Sequence, residues 1–197
     1  MNANRELTGE DFERLALNLN PGDWAVESER PISTLLGSCV AVCLYDPVFR
    51  LGGMNHFLLP SKRAGNTENG GALLAGDHAM ETLLNAMLAK GARKERLVAK
   101  AFGGGNIVSS ILTSIGDRNA EFALEWLAGK GIPLCASDFG GEWSRKVICV
   151  PQTGEVFCRR SPVNQAADEL SRIEAAYEQS LTGKHMSGGL AVPAGIA

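Results

Sequence analysis

The amino-acid sequence predicts an α+β fold in a single globular domain, and three observations favour this interpretation. Segments with the composition of strands and segments with helical periodicity are mixed along the chain, without the regular βαβ rhythm of a doubly wound sheet. Short turn signals join neighbouring strand segments at two places, which is typical of antiparallel hairpins. The chain has 197 residues, of which 45% are hydrophobic and 21% charged, as expected for one globular domain with a substantial core.

Three strands are predicted in the first third of the chain. Asp23–Glu29 alternates weakly between polar and apolar residues. Ser38–Asp46 is rich in valine and has no helical period, so we expect a strand that is buried on both faces. After an Asp-Pro turn signal, residues 51–60 predict a returning strand. The pair Gly52-Gly53 in this strand indicates a bulge or a close approach of another backbone.

Two amphipathic helices are predicted in the middle of the chain. Leucine and methionine side chains fall on one stripe of Leu73–Lys90, and a glycine follows as a terminator. Residues 117–131 predict the second helix, with Asp117 or Asn119 as its N-cap. Lys62–Gly71, which precedes the first helix, has the composition of a polar loop.

Strand signals return in the second half of the chain. Residues 96–105 and 132–141 each predict a strand that ends in a glycine turn, and residues 145–160 predict a hairpin around "PQTGE". Ser161-Pro162 is typical of a helix N-terminus, because serine is a good cap and proline fits the first helical position. We expect this last helix to run to about Leu181.

The chain is expected to consist of an N-terminal arm (residues 1–20), a single domain (21–182) and a disordered tail (183–197). No apolar run approaches the roughly 20 residues of a membrane span, and the polar N-terminus lacks the features of a secretory signal, so a cytoplasmic location is expected. A net charge of −3 and a pI near 5.7 argue against nucleic acid or an anionic membrane as partner. Because a cytoplasmic location is expected, the five cysteines are expected to be reduced thiols.

Cys39 and His56 are the candidate reactive pair. If Asp46–Phe49 forms the turn between the two predicted strands, the numbers of paired residues sum to 95 and Cys39 lies opposite His56. Directly opposed side chains share a face, with Cβ atoms about 4.5–5.5 Å apart. A slip of one residue would separate the pair, so the prediction depends on the register.

A thiol beside an imidazole suits nucleophilic hydrolysis. A free thiol is mostly protonated at neutral pH, and an adjacent imidazolium stabilises the thiolate that attacks an acyl carbon. The histidine can then protonate the leaving group and activate water. Ser33 and Thr34 are candidates for the group that orients His56, and backbone N–H groups near Cys39 are candidates for an oxyanion hole.

Other interpretations of these residues compete with catalysis. A cysteine in a valine-rich strand is more often a packing residue. Cys43 shares a face with Cys39, but a metal site of these two thiols and His56 would lack an evident fourth ligand, so no metal is expected and Cys43 is expected to pack. "GGGN" at 103–106 lacks the spacing of a dinucleotide-binding loop and the lysine of a P-loop, so a plain turn is expected.

Beyond these arguments, an ordered set of motifs resembles the CheD family, the chemoreceptor glutamine deamidases of bacterial chemotaxis. The motifs are "LGSCVAVCLYDP", "GGMNHFLLP", "GGGN", "IGDRNAEFALEWLAGKGIPL", "SDFGG" and "TGEVF". The resemblance extends from about Trp24 to Arg160. It implies a layered arrangement of packed mixed sheets with flanking helices, similar to the catalytic domain of cytotoxic necrotizing factor.

The resemblance also implies an activity and its residues. The expected reaction is hydrolysis of selected receptor glutamines to glutamate through a cysteine thioester, without a cofactor. Cys39 matches the family's nucleophile and His56 its histidine, while the position of its third residue is occupied by Ser33, with Thr34 next to it. The implied partners are the helical cytoplasmic region of chemoreceptors and a CheC-type phosphatase. The alternative is a non-catalytic chemotaxis adaptor that binds these same partners.

Overall fold

The computed structural model describes residues 8–59, 70–106 and 113–162, and beyond them residues 172–174, 176–177 and 179–180. The helices in these ranges are α1 (Gly9–Leu15), α2 (Gly70–Ala89) and α3 (Thr113–Lys130), with a short 3-10 helix at Lys94–Arg96. The strands are β1 (Leu17–Leu19), β2 (Trp24–Glu27), β3 (Ile32–Leu36), β4 (Val40–Asp46), β5 (Leu51–Asn55), β6 (Val98–Gly103), β7 (Leu134–Phe139), β8 (Trp143–Val150) and β9 (Glu155–Pro162). The described residues from 172 to 180 are helical and are called the C-terminal segment below.

The strands form two mixed sheets. One has the order β1-β3-β8-β9 and the other the order β2-β5-β4-β6-β7. The pairs β1–β3 and β6–β7 are parallel and the remaining pairs are antiparallel. The chain from β6 through α3 to β7 makes one parallel crossover. Most other neighbouring strands are antiparallel and are joined by a hairpin turn or by a longer connection. The predicted α+β class is therefore confirmed.

Strand β4 is buried on both faces, as its composition predicts. Val40, Val42 and Leu44 point to a core that the five-stranded sheet shares with α2 and α3. Ala41 and Cys43 point to a second core, which also contains residues of the four-stranded sheet. The five-stranded sheet thus lies between the helices on one side and the other sheet on the other.

The register between β4 and β5 differs from the prediction. Cys43 pairs with Met54 and Asp46 with Leu51, so paired numbers sum to 97 rather than 95. The connecting turn is longer than expected because the Asp46 carboxylate accepts hydrogen bonds from two backbone N–H groups inside it, and Arg50 adopts a left-handed φ of 51°. Cys39 precedes β4 and is not directly opposite His56.

Several element boundaries also differ from the prediction. α3 begins at Thr113, so Asp117 and Asn119 lie inside the helix and do not cap it. α2 begins at Gly70, within the stretch expected to be a loop, of which residues 62–69 lie outside the described ranges.

The two ends of the chain depart from expectation as well. Ser161-Pro162 completes the β8–β9 hairpin rather than opening a helix, because both residues still pair with β8. Leu17–Leu19, within the expected arm, pairs in parallel with β3 and so belongs to a sheet. The expected disordered tail over 183–197 lies outside the described residues.

The other strands and the glycine pair agree with the sequence. β2, β6, β7 and the β8–β9 hairpin lie where they are predicted. Gly52 and Gly53 pair regularly with β4, so there is no bulge, but their backbones are closely approached: an added Cβ would lie 2.9 Å from Pro151 Cα and from Leu83 Cδ1, respectively. Among the described helices, none combines the length and the apolar character that crossing a membrane requires.

Candidate active site

Strand β3 brings a hydroxyl group to the candidate histidine. Thr34 Oγ1 lies 2.7 Å from His56 Nδ1 and donates a hydrogen bond to the Leu19 carbonyl at 2.8 Å. A threonine hydroxyl has only one proton to donate, so this network makes Nδ1 the donor to Thr34. The neutral ring then carries its lone pair on Nε2, which is buried and accepts no hydrogen bond from the described part of the chain.

Ser33, the other candidate for this orienting role, is not brought to His56. Successive side chains of a strand point to opposite faces, and the Ser33 hydroxyl donates instead to Asn18 Oδ1 at 2.5 Å. Both hydroxyls are buried, but only that of Thr34 faces the imidazole. The geometry therefore favours Thr34, the alternative that the sequence left open, over Ser33.

Cys39 and His56 meet although they do not pair directly. Cys39 Sγ, one ring nitrogen of His56 and a carboxylate oxygen of Glu174 all lie within 4.8 Å of one another, and all three residues are buried. Glu174 comes from the C-terminal segment and was not predicted as a site residue. The observed register differs from the predicted one by two residues, which keeps Cys39 and His56 on the same side of the sheet. The two side chains therefore lie close together although the predicted register is wrong.

Three backbone carbonyls of the loop before β4 accept hydrogen bonds from residues that are distant in sequence. The N–H groups of Gly104 and Gly105 donate to the carbonyls of Cys39 and Gly37 at 2.8 and 2.7 Å. Asn119 Nδ2 donates to the intervening Ser38 carbonyl at 2.8 Å. Because a trans peptide unit directs its C=O and N–H to opposite sides, the held carbonyls of residues 37 and 38 turn the N–H groups of residues 38 and 39 to the other side of the loop, into the site.

The "GGGN" segment therefore has a structural function in this site. Gly103 has a φ of 120° and Gly104 a φ of 61°, which residues with a side chain rarely adopt. An added Cβ at Gly104 would also lie 2.7 Å from the Gly116 carbonyl oxygen. The expected turn is present, and its close packing is what delivers N–H groups to the loop that carries Cys39.

The N–H groups of residues 37–39 form an anion-binding nest, which holds the Glu174 carboxylate. Oε1 accepts from Gly37 N at 2.9 Å and from Cys39 N at 3.2 Å. Oε2 accepts from Ser38 N at 3.0 Å and from Ser38 Oγ at 2.6 Å. Converging backbone N–H groups of this kind stabilise negative charge, including the charge of a tetrahedral oxyanion.

Burial controls the protonation of His56. Removal from water lowers the pKa of the imidazole to about 4, against the opposing effect of the negative charges of Glu174 and Asp23. His56 is therefore neutral at pH 7 in this structure. A neutral imidazole with a free Nε2 lone pair is the form that accepts a proton from a thiol.

The hydrogen bonds of Glu174 argue against a metal site formed by the three clustered residues. Each carboxylate oxygen already accepts two hydrogen bonds, so its lone pairs point to donors rather than to a cation between the three groups. Cys43, which entered the metal interpretation of the sequence, contacts Cys149 instead, and this hydrogen bond, together with burial, raises the pKa of the Cys43 thiol. Cys43 packs in the core between the sheets.

Two residues of this site carried no clear signal in the sequence. Asn119 is completely buried and joins two loops, since its Oδ1 accepts from Leu59 N at 2.9 Å while its amide holds Ser38. Near the start of a predicted helix it resembled a cap. Glu174 stands in a polar helical stretch, where a glutamate is normally a solvated surface residue.

The comparisons of sequence with known proteins agree on one family. The model of the family described as CheD chemotactic sensory transduction matches residues 58–160. A protein of Dechloromonas aromatica (strain RCB), named probable chemoreceptor glutamine deamidase CheD 2, is 55% identical over 185 residues, covering 92% of this chain and 94% of the relative. A protein of Xanthomonas campestris pv. campestris (strain B100), named probable chemoreceptor glutamine deamidase CheD, is 40% identical over 181 residues, covering 91% of this chain and 89% of the relative.

Among solved structures, the hypothetical protein YfiH of Bacillus licheniformis matches with a TM-score of 0.40 and 14% identity, over 59% of this chain and 49% of that one. This similarity is too low to support an inference. The sequence relatives are sufficient to assign the family, because they match nearly the whole chain at 55% and 40% identity. The chain belongs to the CheD family.

Proposed function

We propose that this protein hydrolyses the side-chain amide of selected glutamine residues on chemoreceptors, giving glutamate and ammonia. The observation that carries the proposal is the buried group of Cys39, His56 and Thr34 beside a nest of three backbone N–H groups. A thiol, a base with a free nitrogen and an oxyanion site are the groups that amide hydrolysis requires. The names of the relatives supply the substrate.

The reaction begins with transfer of the Cys39 thiol proton to His56 Nε2. The thiolate attacks the carbon of the glutamine amide, and the oxyanion that forms accepts hydrogen bonds from the loop 37–39. The intermediate collapses when His56 returns the proton to the leaving nitrogen, which departs as ammonia and leaves a thioester on Cys39. His56 then takes a proton from water, the hydroxide attacks the thioester, and the glutamate carboxylate and the thiol are released.

In this scheme Thr34 is a positioning residue. By accepting from Nδ1 it keeps the imidazole in the tautomer whose Nε2 can take the thiol proton. The hydroxyl of Thr34 is itself held by the Leu19 carbonyl, so its lone pairs are directed to the ring. Ser33 has no comparable contact, and we assign it no step.

The family resemblance supports further expectations that belong to the proposal. We place the protein in the cytoplasm, where the helical signalling region of receptors is accessible, and regard residues 21–182, together with β1, as the catalytic domain. The two-sheet arrangement is proposed to share the architecture of the catalytic domain of cytotoxic necrotizing factor. A CheC-type phosphatase is proposed as a second partner.

The test is incubation of the purified protein with the cytoplasmic fragment of a receptor, followed by peptide mass spectrometry of glutamine conversion. We expect conversion by the wild type and by Cys135→Ala, which removes an exposed thiol. We expect none with Cys39→Ala or His56→Ala. Binding of the fragment without conversion by any form of the protein would instead support the non-catalytic adaptor.

A further inference from the structure

We propose that Glu174 is an internal, product-like ligand that occupies the amide-binding site and holds the enzyme in a closed, inhibited state. The inference rests on the proposed function, since a glutamate side chain is the product of glutamine deamidation. The C-terminal segment presents this side chain to the nest in the position that the substrate would take.

The first support is the number and kind of contacts. The Glu174 carboxylate is buried, with the residue only 4% exposed, and accepts four hydrogen bonds from the loop that carries Cys39. Three of the donors are the backbone N–H groups assigned to the oxyanion. No substrate carbonyl can accept from these groups while Glu174 does.

The second support is the proximity of a negative charge to the nucleophile. A Glu174 oxygen lies within 4.8 Å of Cys39 Sγ in a site removed from water. Like charges at this separation repel strongly where solvent screening is weak. Glu174 therefore opposes formation of the thiolate and also blocks access to it.

The third support is a second contact made by the same face of the C-terminal segment. Tyr177 lies one turn after Glu174, so both side chains project to the same side. The Tyr177 ring packs on Gly22, where an added Cβ would lie 2.6 Å from it, and Gly22 N donates to the His56 carbonyl at 2.8 Å. Burial is the main cause that raises the pKa of Tyr177 to about 12.

The opposite side of the segment is solvated: Arg172, Ile173, Ala176 and Gln179 are exposed. The segment thus packs through Glu174 against the loop 37–39 and through Tyr177 against the backbone around His56. A side chain tethered to the same chain competes with substrate at a high effective concentration. Substrate binds only to molecules in which Glu174 has left the nest, so its apparent affinity is reduced in proportion to the fraction of such open molecules.

A carboxylate suits this nest better than an amide does. Its two oxygens offer enough lone pairs for four donors, whereas the NH₂ group of a glutamine cannot accept from Ser38 N. Glu174→Gln keeps the size of the side chain but loses half of its acceptors, so it should release the segment. Glu174→Ala should release it more completely.

The test is the rate of Cys39 alkylation by iodoacetamide, followed by peptide mass spectrometry on the full chain. We expect Glu174→Ala and Glu174→Gln to raise the rate by about tenfold or more over the wild type, as for release of a site that is mostly occupied. Glu125→Ala, which removes an exposed glutamate of α3 and the same charge, should match the wild type. Millimolar acetate should slow alkylation in Glu174→Ala and have no effect on the wild type.

The other cysteines serve as internal controls. Cys43 and Cys149 are buried and should stay unreactive, while exposed Cys135 should react equally in all variants. Reaction of Cys43 in Glu174→Ala would indicate unfolding of that variant. In that case the rate of Cys39 alkylation in the isosteric Glu174→Gln decides whether the proposal holds. Wild-type rates at Cys39 in a folded Glu174→Gln would overturn the proposal.

Receptor conversion separates this inference from the proposed function. We expect the two Glu174 variants to convert receptor glutamines faster, mainly through a lower KM, because the substrate no longer displaces an internal ligand. Faster alkylation without conversion by any variant would overturn the deamidase while leaving the closed state intact. Conversion with unchanged alkylation would overturn the closed state alone.

Discussion

At the scale of single residues, one hydroxyl proton determines the chemistry of the site. Thr34 donates its proton to the Leu19 carbonyl and so must accept from His56 Nδ1. This leaves the lone pair on Nε2, the atom that we propose as the base for Cys39. Two adjacent hydroxyls on β3 thus have different roles, because the strand directs them to opposite faces.

Replacing the two hydroxyls separately tests this assignment. We expect Thr34→Val, which keeps the shape but cannot accept from Nδ1, to lower kcat for receptor conversion by about 10- to 100-fold, as for loss of a group that orients a catalytic base. Ser33→Ala should keep kcat near that of the wild type. The kcat of each variant on the receptor fragment is the measurement, and a larger loss in Ser33→Ala would contradict the assignment.

The protonation of His56 gives a second prediction, on stability. Burial lowers the pKa in the folded state to about 4, below the ordinary value of 6.5. As the pH falls from about 6.5 towards 4, the unfolded chain binds a proton at His56 that the folded chain does not, so the free energy of unfolding decreases. We expect the free energy of unfolding in urea to fall between about pH 6.5 and 4.5, and His56→Gln to flatten that slope. An equal slope in both proteins would refute this pKa shift.

At the scale of elements, the loop 37–39, which carries Cys39, is held by groups that are distant from it in sequence. The turn after β6 supplies N–H donors to the carbonyls of Gly37 and Cys39, and α3 supplies the amide of Asn119 to the carbonyl between them. The same Asn119 also fixes Leu59, three residues after His56. The loop therefore depends on the turn after β6 and on α3 for its orientation.

Asn119→Asp tests this dependence with a minimal change. The carboxylate can still accept from Leu59 N but cannot donate to the Ser38 carbonyl, which is left without its buried donor. We expect unfolding to become easier by about 1–3 kcal/mol, as for an unsatisfied buried group. Activity should fall beyond what the lost stability explains. Denaturant midpoints and kcat measured together check this, and wild-type values for both would contradict it.

Sequence patterns predicted elements better than they predicted the joints between them. β4 is recognisable because burial on both faces leaves a continuous run of apolar residues, and α2 because burial on one stripe leaves a helical period. The β4–β5 register was missed because it depends on how Asp46 folds its own turn. The role of Glu174 depends on a contact with a loop 135 residues away, which local patterns do not record.

At the scale of the whole molecule, charged residues tie the two sheets together near the site. Arg145 of β8 is 1% exposed and donates to Asp138 of β7 at 3.0 Å and to the Gly140 carbonyl at 2.5 Å. Arg160 of β9 also binds Asp138, and these two guanidinium groups hold the pKa of the Asp138 carboxyl well below its usual range. The four-stranded sheet is thereby joined to the edge strand of the five-stranded sheet.

Removing the buried cation should loosen the whole fold. Arg145→Leu leaves the Gly140 carbonyl without this donor, and Asp138 keeps the Arg160 guanidinium and the Cys158 thiol as partners. We expect a loss of about 3 kcal/mol, the usual cost of breaking a buried ion pair. Arg159→Leu, on an exposed side chain of β9, should cost much less. Urea unfolding of both variants tests this, and equal losses would show that the cluster does not join the sheets.

The most direct test of the account is capture of the thioester on Cys39. The wild type should be mixed with the receptor fragment, quenched in acid and digested, and its cysteine peptides analysed by mass spectrometry. We predict a receptor peptide joined through its former glutamine to Cys39, removable by hydroxylamine and absent from Cys39→Ser. Conversion of receptor glutamines at the wild-type rate by Cys39→Ala, or a receptor adduct on another cysteine alone, would contradict the account.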